Sequence, residues 1–581
     1  MKTCITLFLV SIFSTFYGIN DTIKKPESWT QMSLFPDSNL YNLFLGGPGS
    51  VYRSLKFSQN KLSIYNSHNM FFPEQQDISF VNSNIPIVDA QYILGNESEQ
   101  NLSLYHSQRI SNRSAYAVSF LKRSHDGYYT NQSTNNNYFQ FSFKNRSIDS
   151  TYKINFGLKY QRLYNQLNGG LTNDSTFINS NEFESNRKIL NVNMQNAYAT
   201  NKVLKSFIYQ DWILSNKNQD STSLKVKKIG FNNSVQRNSR VYFDSLNPDL
   251  FLNNFYSTES TQDSLIIDVF TSSIKYSIIS KTDSSEKKLN FGWSSEILSY
   301  KNKFIDTILT NQAVSLDFSK NKKSNYLKLG GNFYPFGYKK NNYEFDFLYQ
   351  RIFFNDKIFK VSADLSDFKP VFEINNYQSN HHYWDSKQFN NILFWNASAE
   401  ITDGLFSLKS QINKVYRPIY FTKYSEPLQL GSSTQVIQSS LNYNLIKKKY
   451  NLSTEIVYQF QGGSQIFQLP DWVGQLKFNY IFGNEKSNLK LALGFNAKVF
   501  SSYTLPGYSS ELNQFTVSNG RKQPSYFMVD LLAKTKIKSV TVFVMVTHLN
   551  SGLMGFEYFS AFHFPIADRC LKFGLRWIFL D

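Results

Sequence analysis

The sequence predicts an all-β chain that closes into one large antiparallel β-barrel of about 24 strands, within a range of about 20 to 26. Three observations favour this fold class. Apolar and polar residues alternate over many runs, and the connections between those runs alternate between short and long. Aromatic residues make up 17% of the chain, yet no long helical periodicity accompanies them. Aromatic residues at alternate positions suit strands that face lipid.

The chain divides into three segments. Residues 1–20 are predicted to be a signal peptide, because Lys2 precedes a mostly apolar run from Thr3 to Tyr17. Residues 21–84 read as a short irregular extension, periplasmic or in the barrel mouth, in which Gly46 to Gly49 mark a loop. Residues 85–581 carry the barrel, and an even number of strands requires Ile85–Leu94 as the first of them.

The barrel segment shows a period of two. In residues 151–162, Tyr152, Ile154 and Phe156 share one face, while Lys153 and Asn155 share the other. Such runs have about the length of a transmembrane strand, about 9–11 residues. The clearest runs are Tyr138–Arg146, Thr151–Arg162, Tyr343–Gln350, Asn451–Phe460, Trp472–Phe482, Leu489–Phe500 and Tyr526–Ile537.

The connections follow a rhythm of short turns and long polar loops. Short turns are predicted at Ser111–Arg113, Ser147–Ser150, Thr200–Lys202, Asn321–Ser324, Lys447–Lys449, Asn484–Ser487 and Lys538–Ser539. Long loops are predicted at Ser124–Asn137, Leu163–Asn186, Asn247–Gln262, Asp367–Lys387, Lys414–Ser432, Ser501–Pro524 and Asn550–Asp568. Outer-membrane barrels have short periplasmic turns and longer outer loops, so this rhythm predicts the outer membrane of a Gram-negative cell.

The last strand, residues 570–581, ends the chain on alternating apolar residues. It resembles the C-terminal signal that the assembly machinery reads in outer-membrane barrels, although Asp581 rather than an aromatic residue closes the chain. The residues that carry this signal are Phe573, Leu575, Trp577 and Phe579.

Polar residues on the opposite faces of the clean runs are the candidate functional residues. If the register holds, they project into the lumen, where rings of charge set which ions pass. A slip by one residue would place each of them on lipid, which costs about 2–4 kcal/mol for Lys or Arg at the midplane. The candidates are Lys153, Lys159, Glu344, Asp346, Glu455, Lys477, Lys490, Lys498 and Arg576.

The composition excludes several other functions. The net charge is +18, but the lysines are dispersed, which argues against a nucleic-acid groove. Only Cys570 would remain after signal removal, so cysteine-based metal or haem ligation is excluded. No phosphate loop, metal-spaced cluster or nucleophile elbow is present, so no catalytic, cofactor or metal residues are predicted. The pair His381–His382 with Asp385 has two interpretations, a metal site and a solvent-exposed aromatic loop, and the exposed loop is the favoured one.

Several stretches resemble the Bacteroidetes putative porin family. They are FLGGPGS at 44–50, the stretches at 84–111, 125–133 and 375–385, and the C-terminal region from Tyr526 onward. The resemblance covers nearly all of the mature chain and implies an outer-membrane barrel that passes small solutes, without catalytic residues. Ile87-Val88 stand after Pro86 where the family tends to have Tyr-Thr. The final strands also resemble those of TonB-dependent receptors.

We therefore expect a porin that lets small hydrophilic solutes diffuse through a charged lumen, with outer-membrane lipid and the barrel assembly machinery as partners. A TonB-dependent transporter, with about 22 strands and a plug, is one alternative, although the roughly 65 residues between the predicted signal peptide and the first candidate strand are too few for a complete plug domain. A hydrophobic-compound transporter with a hatch from residues 21–84 and a closed surface-binding barrel are the others. The sequence does not predict the solute or the oligomeric state.

Overall fold

The computed structural model describes residues 41–58, 85–180, 186–220, 223–245, 251, 253–353, 357–385, 388–483, 488–518 and 520–580. The predicted signal peptide lies outside these residues. Residues 21–40 and 59–84 of the predicted N-terminal extension also lie outside them.

The described chain forms one closed antiparallel barrel, which confirms the predicted all-β class. Its 22 strands, β1 to β22, are Ile87–Gly95, Glu99–Arg109, Ser114–His125, Thr134–Arg146, Tyr152–Leu167, Ala197–Asp220, Ser223–Ser245, Ser260–Thr282, Ser285–Asn302, Asp306–Lys322, Asn325–Gly337, Tyr343–Ile352, Ile358–Phe368, Ile392–Asp403, Phe406–Tyr416, Ser433–Ile446, Tyr450–Gly462, Trp472–Phe482, Leu489–Phe500, Tyr526–Ile537, Val540–Thr547 and Cys570–Leu580. The ring closes where β1 pairs with β22, from Ile87 opposite Leu580 to Gly95 opposite Lys572.

The strand number lies within the predicted range but is two below the predicted number. The turn predicted at Thr200–Lys202 is wrong, because these residues lie inside β6. Strand β6 has 24 residues, and β7 and β8 have 23 each. A membrane crossing needs only about 9–11 residues. A segmentation that assumes strands of this length therefore predicts too many strands where the strands are twice as long.

The period of two holds in the structure. Strands β18, β19 and β20 coincide with three of the predicted runs. On β19, Leu489, Leu493 and Val499 are exposed, while Lys498 on the opposite face is buried. An apolar outer face with a polar inner face is the arrangement expected of a barrel in lipid.

The two ends of the barrel differ. At one end of the barrel, here called the short-turn end, every connection between strands is short, and the longest comprises residues 483–488. The other end, the long-loop end, carries the connections 168–196, 246–259, 369–391, 417–432, 501–525 and 548–569. Strand β22 ends at the short-turn end, as expected if that end is periplasmic.

Several small elements are not part of the barrel wall. Among the described residues, the helices are α1 at Asp174–Ile178, α2 at Phe372–Asn375 and a 3-10 turn at Arg187–Ile189. Within the described ranges, none of the helices has the length and apolar character that a membrane crossing requires. Short strands lie at Asn42–Phe44, Tyr52–Ser54, Tyr377–Gln378, Tyr383–Trp384, Ile419–Phe421, Pro427–Gln429, Tyr503–Thr504, Gly507–Ser509, Gln514–Thr516, Lys522–Gln523, Phe559–Ala561 and Phe564–Pro565.

The two largest hydrophobic cores lie at the long-loop end. In one, Leu43 and Leu55 of the N-terminal segment join Phe177, Leu505 and Phe559 of three loops. In another, Trp384 and Phe421 of two further loops pack against Leu265 and Tyr300 of the wall. The loops therefore pack together and against the wall, which matters for any solute that crosses the lumen.

Candidate functional site in the barrel lumen

Residues 41–58, here called the hatch segment, form a hairpin inside the barrel. Asn42–Phe44 pairs with Tyr52–Ser54, and Gly46 to Gly49 form the turn between them. Tyr41, Leu43 and Leu55 are buried. A two-stranded hairpin is marginal on its own, so its position depends on contacts with the barrel.

The turn of the hatch segment is held by strand β4 and the loop before it. Thr134 Oγ1 donates to Pro48 O at 2.9 Å, and Asn136 Nδ2 donates to Gly49 O at 2.9 Å. Gln132 Nε2 donates to Leu45 O at 2.9 Å. Side chains of β4 and of the loop before it thus donate to three carbonyl groups of the turn and fix its position.

Glycine is required in this turn. A Cβ at Gly47 would lie 2.3 Å from Nδ1 of the buried His125. Gly49 has a φ of +91°, which favours glycine, and a Cβ there would lie 2.3 Å from Asn136 Nδ2. The FLGGPGS motif therefore serves close packing of the hatch turn against the wall. Sequence reasoning identified a loop there but not its contact surface.

The opposite side of the hatch segment is bound by strands β17 and β19. Lys56 Nζ lies 2.5 Å from Glu455 Oε1, an ion pair in which both side chains are largely buried. Gln459 Nε2 donates to Leu55 O at 2.6 Å, and its Oε1 accepts from the backbone N–H of Phe57 at 3.1 Å. Lys498 Nζ donates to Asn42 O at 3.4 Å.

A further anchor comes from the loop between β17 and β18. Arg53 Nη2 donates to the carbonyls of Phe467 and Gln468 at 2.5 and 2.6 Å. Burial lowers the pKa of Arg53 to about 10, so this guanidinium is charged at neutral pH. Charge-assisted bonds of this kind are stronger than neutral ones and give the hatch a defined register.

The two sets of contacts place the hatch segment across the lumen. In the closed ring, at least eight strands lie between β4 and β17 in either direction. The contacting residues of β17, Glu455 and Gln459, have the parity opposite to that of the exposed Ile456 and Phe460. One segment bound to inner faces this far apart must cross the interior.

Two of the nine predicted lumen-lining residues, Glu455 and Lys498, thus contact the hatch segment. The structure does not bring the other seven together in one site. Arg576 binds Asp89, Asp346 binds Lys328, and Glu344 accepts from Asn332 Nδ2 at 3.4 Å. The remaining four lie at separate positions on three strands: Lys153 opposite Asp211, Lys159 with Nζ 5.5 Å from the Tyr138 ring centre, Lys477 opposite Asn496 and Lys490 opposite Lys536. Their role in solute passage remains a prediction.

The predicted assembly signal lies on the barrel exterior. Phe573, Leu575 and Trp577 are each more than two-fifths exposed, and the Phe579 ring lies 3.8 Å from that of Trp577. That the assembly machinery reads these residues stays a prediction.

The expectation that His381–His382 lies in a solvent-exposed loop is wrong. His381 is 4% exposed, and its Nε2 lies 2.8 Å from both Asp244 Oδ2 and Thr261 Oγ1. His382 Nε2 lies 2.9 Å from Glu511 Oε1. The two histidines therefore join loop 369–391 to the wall and to loop 501–525. Contacts between a loop and residues distant in the sequence follow no periodic pattern, so the sequence alone could not predict them.

The contact with His382 lowers the pKa of Glu511. Burial alone would raise that pKa, but the hydrogen bond and the electrostatic interaction with His382, together with the Ser509 hydroxyl, lower it to about 2. The carboxylate therefore stays ionised at neutral pH and holds His382 in place. Within the part of the chain described, no group of three His, Cys, Asp or Glu side chains could hold a metal ion.

A second contact between loops involves Arg187 and Asp568. Arg187 Nε donates to Asp568 Oδ2 at 2.6 Å, and its guanidinium lies over the rings of Phe177 and Phe556. Tyr558 and Ser551 donate to the other carboxylate oxygen. This arrangement fixes loop 168–196 to loop 548–569, and Phe177 and Phe556 share a hydrophobic core with the hatch residues Leu43 and Leu55.

A closed barrel with an apolar outer face and a polar, occupied interior defines an outer-membrane β-barrel protein. The sequence profile of the family described as "Putative porin" matches residues 15–581. The chain belongs to this family. No curated protein is similar enough in sequence to match it.

Solved structures share the fold. The ferripyoverdine receptor of the outer membrane of Pseudomonas aeruginosa is 12% identical, with a TM-score of 0.60 over 86% of this chain and 72% of that one. The copper transporter OprC is 8% identical, with a TM-score of 0.60 over 85% and 80%. The FrpB iron transporter of Neisseria meningitidis is 8% identical, with a TM-score of 0.58 over 87% and 84%. At such identities the similarity shows the fold alone.

Proposed function

We propose that this protein is an outer-membrane channel for small hydrophilic solutes, closed at its long-loop end by the hatch segment. The observation that carries the proposal is the attachment of one hairpin to inner faces on two sides of the barrel. Solutes would cross when the hatch segment leaves the lumen or shifts against the wall.

The character of the attachment supports a removable closure. An ion pair and hydrogen bonds hold the hatch segment to Glu455, Gln459 and Asn136, in addition to the hydrophobic core that contains Leu43 and Leu55. Such contacts exchange for water at modest net cost, about 0.5–1.5 kcal/mol for a typical hydrogen bond. The polar inner wall would then offer a path to hydrated solutes, with its charges setting their preference.

We also propose how the protein reaches the outer membrane. Residues 1–20 would direct export, and the alternating residues of β22 would be read by the barrel assembly machinery. The exposed Phe573, Leu575 and Trp577 would then face outer-membrane lipid.

Active, TonB-dependent transport is the second candidate function. The observation that favours it is the number of strands, because transporters with 22 strands have a plugged lumen. Dependence on an energised inner membrane separates the two candidates. In purified liposomes without an energy source, a channel would still let solutes pass. A TonB-dependent transporter would show no solute flux under the same conditions.

Liposome swelling in a neutral sugar tests the proposed function with three variants. Lys56→Glu places two carboxylates together and should release the hatch segment, which raises the swelling rate several-fold above wild type. Glu455→Lys in the same chain restores the ion pair with reversed charges and should return the rate to the wild-type value. A folded Lys56→Glu barrel whose hatch becomes protease-sensitive without any gain in flux would contradict a channel function.

A further inference from the structure

The outer faces of four neighbouring strands carry a line of polar side chains, here called the polar row. It comprises Asn233 on β7, Ser272 on β8, Ser295 on β9 and Gln312 on β10. The strand register places each of these residues directly opposite the next. The line ends at apolar residues, because Asn233 also lies opposite Ile208 of β6 and Gln312 opposite Phe336 of β11.

The rows on either side of the polar row are apolar and face outward. Phe270 and Ile297 lie opposite each other, two residues nearer the long-loop end. Ile274 and Trp293 lie opposite each other, two residues nearer the short-turn end. These four side chains are 36–42% exposed. Because residues two apart on a strand share a face, the polar row also lies on the exterior of the barrel.

The polar row lies within the band of the wall that lipid covers. Lys287, eight residues from Ser295, is the first outward charge towards the short-turn end. The ion pair Arg237–Asp268 lies four residues from the polar row towards the long-loop end. These twelve residues span about 39 Å along the strand, or about 30 Å of height for strands tilted by about 40°. That height matches the hydrocarbon core of a bilayer, about 30 Å thick.

The polar row has hydrogen-bonding groups that the wall itself does not satisfy. Among the described residues, the side chains of Ser272, Ser295 and Gln312 have no hydrogen-bond partner. Lipid chains offer neither donors nor acceptors, so such groups are unfavourable in the membrane. Elsewhere on the outer face, Ser410 of β15 and Ser439 of β16 satisfy each other with a hydrogen bond of 3.0 Å. The polar row lacks this internal solution and calls for a partner within the membrane.

A second copy of this chain has matching groups at the required depth. The apolar band fixes the depth of each barrel, so two copies related by a two-fold axis along the membrane normal present the same residues at the same height. Hydroxyl and carboxamide groups both donate and accept hydrogen bonds, which makes the polar row complementary to itself. The small side chains of Ser272 and Ser295 also let two walls approach closely.

We propose that this protein associates with a second copy through the outer faces of β7 to β10, with hydrogen bonds between the two polar rows at the centre of the contact. The flanking side chains of Phe270, Ile274, Trp293 and Ile297 pack around these bonds. The contact involves the exterior of the barrel alone, so it does not depend on the proposed channel function.

Cysteine cross-linking in intact outer membranes tests which face is paired. Ser272→Cys and Ser295→Cys, made separately, each place one thiol in the polar row, while the native Cys570 is buried. A short bifunctional maleimide should join two chains into a product of twice the mass. Ser410→Cys is the matched control, because its thiol lies on the outer face of β15, six strands away from β9. A product that contains a different protein, or equal cross-linking through position 410, would overturn the proposal.

Sedimentation of the folded barrels in a density-matched detergent measures the strength of the association. Replacing both serines, Ser272→Leu with Ser295→Leu, should raise the dissociation constant of the dimer by about tenfold or more, because hydrogen bonds between the walls are lost. The control, Ser410→Leu with Ser439→Leu, removes two hydroxyls that satisfy each other and should leave the constant unchanged. A wild-type barrel that stays monomeric, or equal dissociation constants in the two double variants, would overturn the second copy as the partner.

Discussion

Arg576 on the last barrel strand forms a two-point salt bridge with Asp89 on the first. Its Nε lies 2.8 Å from Oδ1 and its Nη2 lies 2.5 Å from Oδ2 of the carboxylate. Lys572 and Glu99 form a second, buried ion pair beside it at 2.8 Å. Charged pairs on the inner face thus join the two ends of the barrel segment where the ring closes.

Replacing Arg576 with Gln should destabilise the closed barrel by about 1.5–3 kcal/mol, since it removes two hydrogen bonds to a charged group. The reason is that Asp89 would remain in a partly buried position without its cation. The measurement is the temperature at which the folded barrel loses its faster gel mobility.

An outer-surface ion pair of the same geometry provides the control. Arg237 binds Asp268 through two bonds of 2.6 Å, but its side chain is 61% exposed. Arg237→Gln should cost only about 0.2–1 kcal/mol. Equal losses in the two variants would show that the closing pair has no special role.

Gly47→Val should expel the hatch segment, because its Cβ would overlap the imidazole of His125. We expect trypsin to cleave after Arg53 and Lys56 at least about tenfold faster than in wild type, since local opening exposes sites that folding protects. Gly431→Val is the control, because nothing lies within 4 Å of a Cβ at that position. Protection of Arg53 in the Gly47 variant would contradict the described packing.

Loop 548–569 should loosen in acid. Its His548 accepts from Tyr526 OH and donates to Ala567 O, at 2.8 and 2.7 Å, and burial lowers its pKa to about 4. The unfolded loop therefore binds a proton more readily than the folded loop. Stability is full above about pH 6.5 and is lost as the pH falls towards about 4, by on the order of 3 kcal/mol.

Hydrogen exchange in this loop between pH 7 and 4 measures the effect, after correction for intrinsic rates. In His548→Asn the dependence on pH should disappear, and asparagine tolerates the φ of +49° at this position. The same acid-induced exchange in the variant would assign the effect to another group.

Asp568→Asn should separate loop 168–196 from loop 548–569. It leaves Arg187 without its charged partner in a side chain that is 6% exposed. We expect faster exchange in both loops and a loss of about 3–5 kcal/mol in their local stability. Exchange that rises in only one loop would show that the contact does not couple them.

The alternation of residues predicted the barrel, its apolar exterior and most of its connections. Strand β19 begins and ends where the run Leu489–Phe500 does, because each side chain there meets either lipid or the interior. The same alternation correctly placed Glu455 and Lys498 on the inner face of the barrel. The contacts that these residues make with the hatch segment were not predictable, because they join positions 399 and 456 residues apart and follow no local period.

The sequence also did not predict which loop side chains are buried at the long-loop end. His381 and Arg187 lie in polar loop stretches, where exposure is the usual outcome. Their burial depends on how six long loops pack together, and no residue pattern within one loop specifies that. The glycine-rich motif around Gly47 was the clearest local signal in the sequence. Glycine is needed there because the His125 ring leaves no space for a Cβ.

Single-channel conductance in a planar bilayer, measured on folded wild type and on Gly47→Val, tests the closure of the lumen most directly. We predict rare, brief openings in wild type and a long-lived open conductance in the variant. A wild-type barrel that conducts steadily, with the same conductance as the variant, would contradict the hatch.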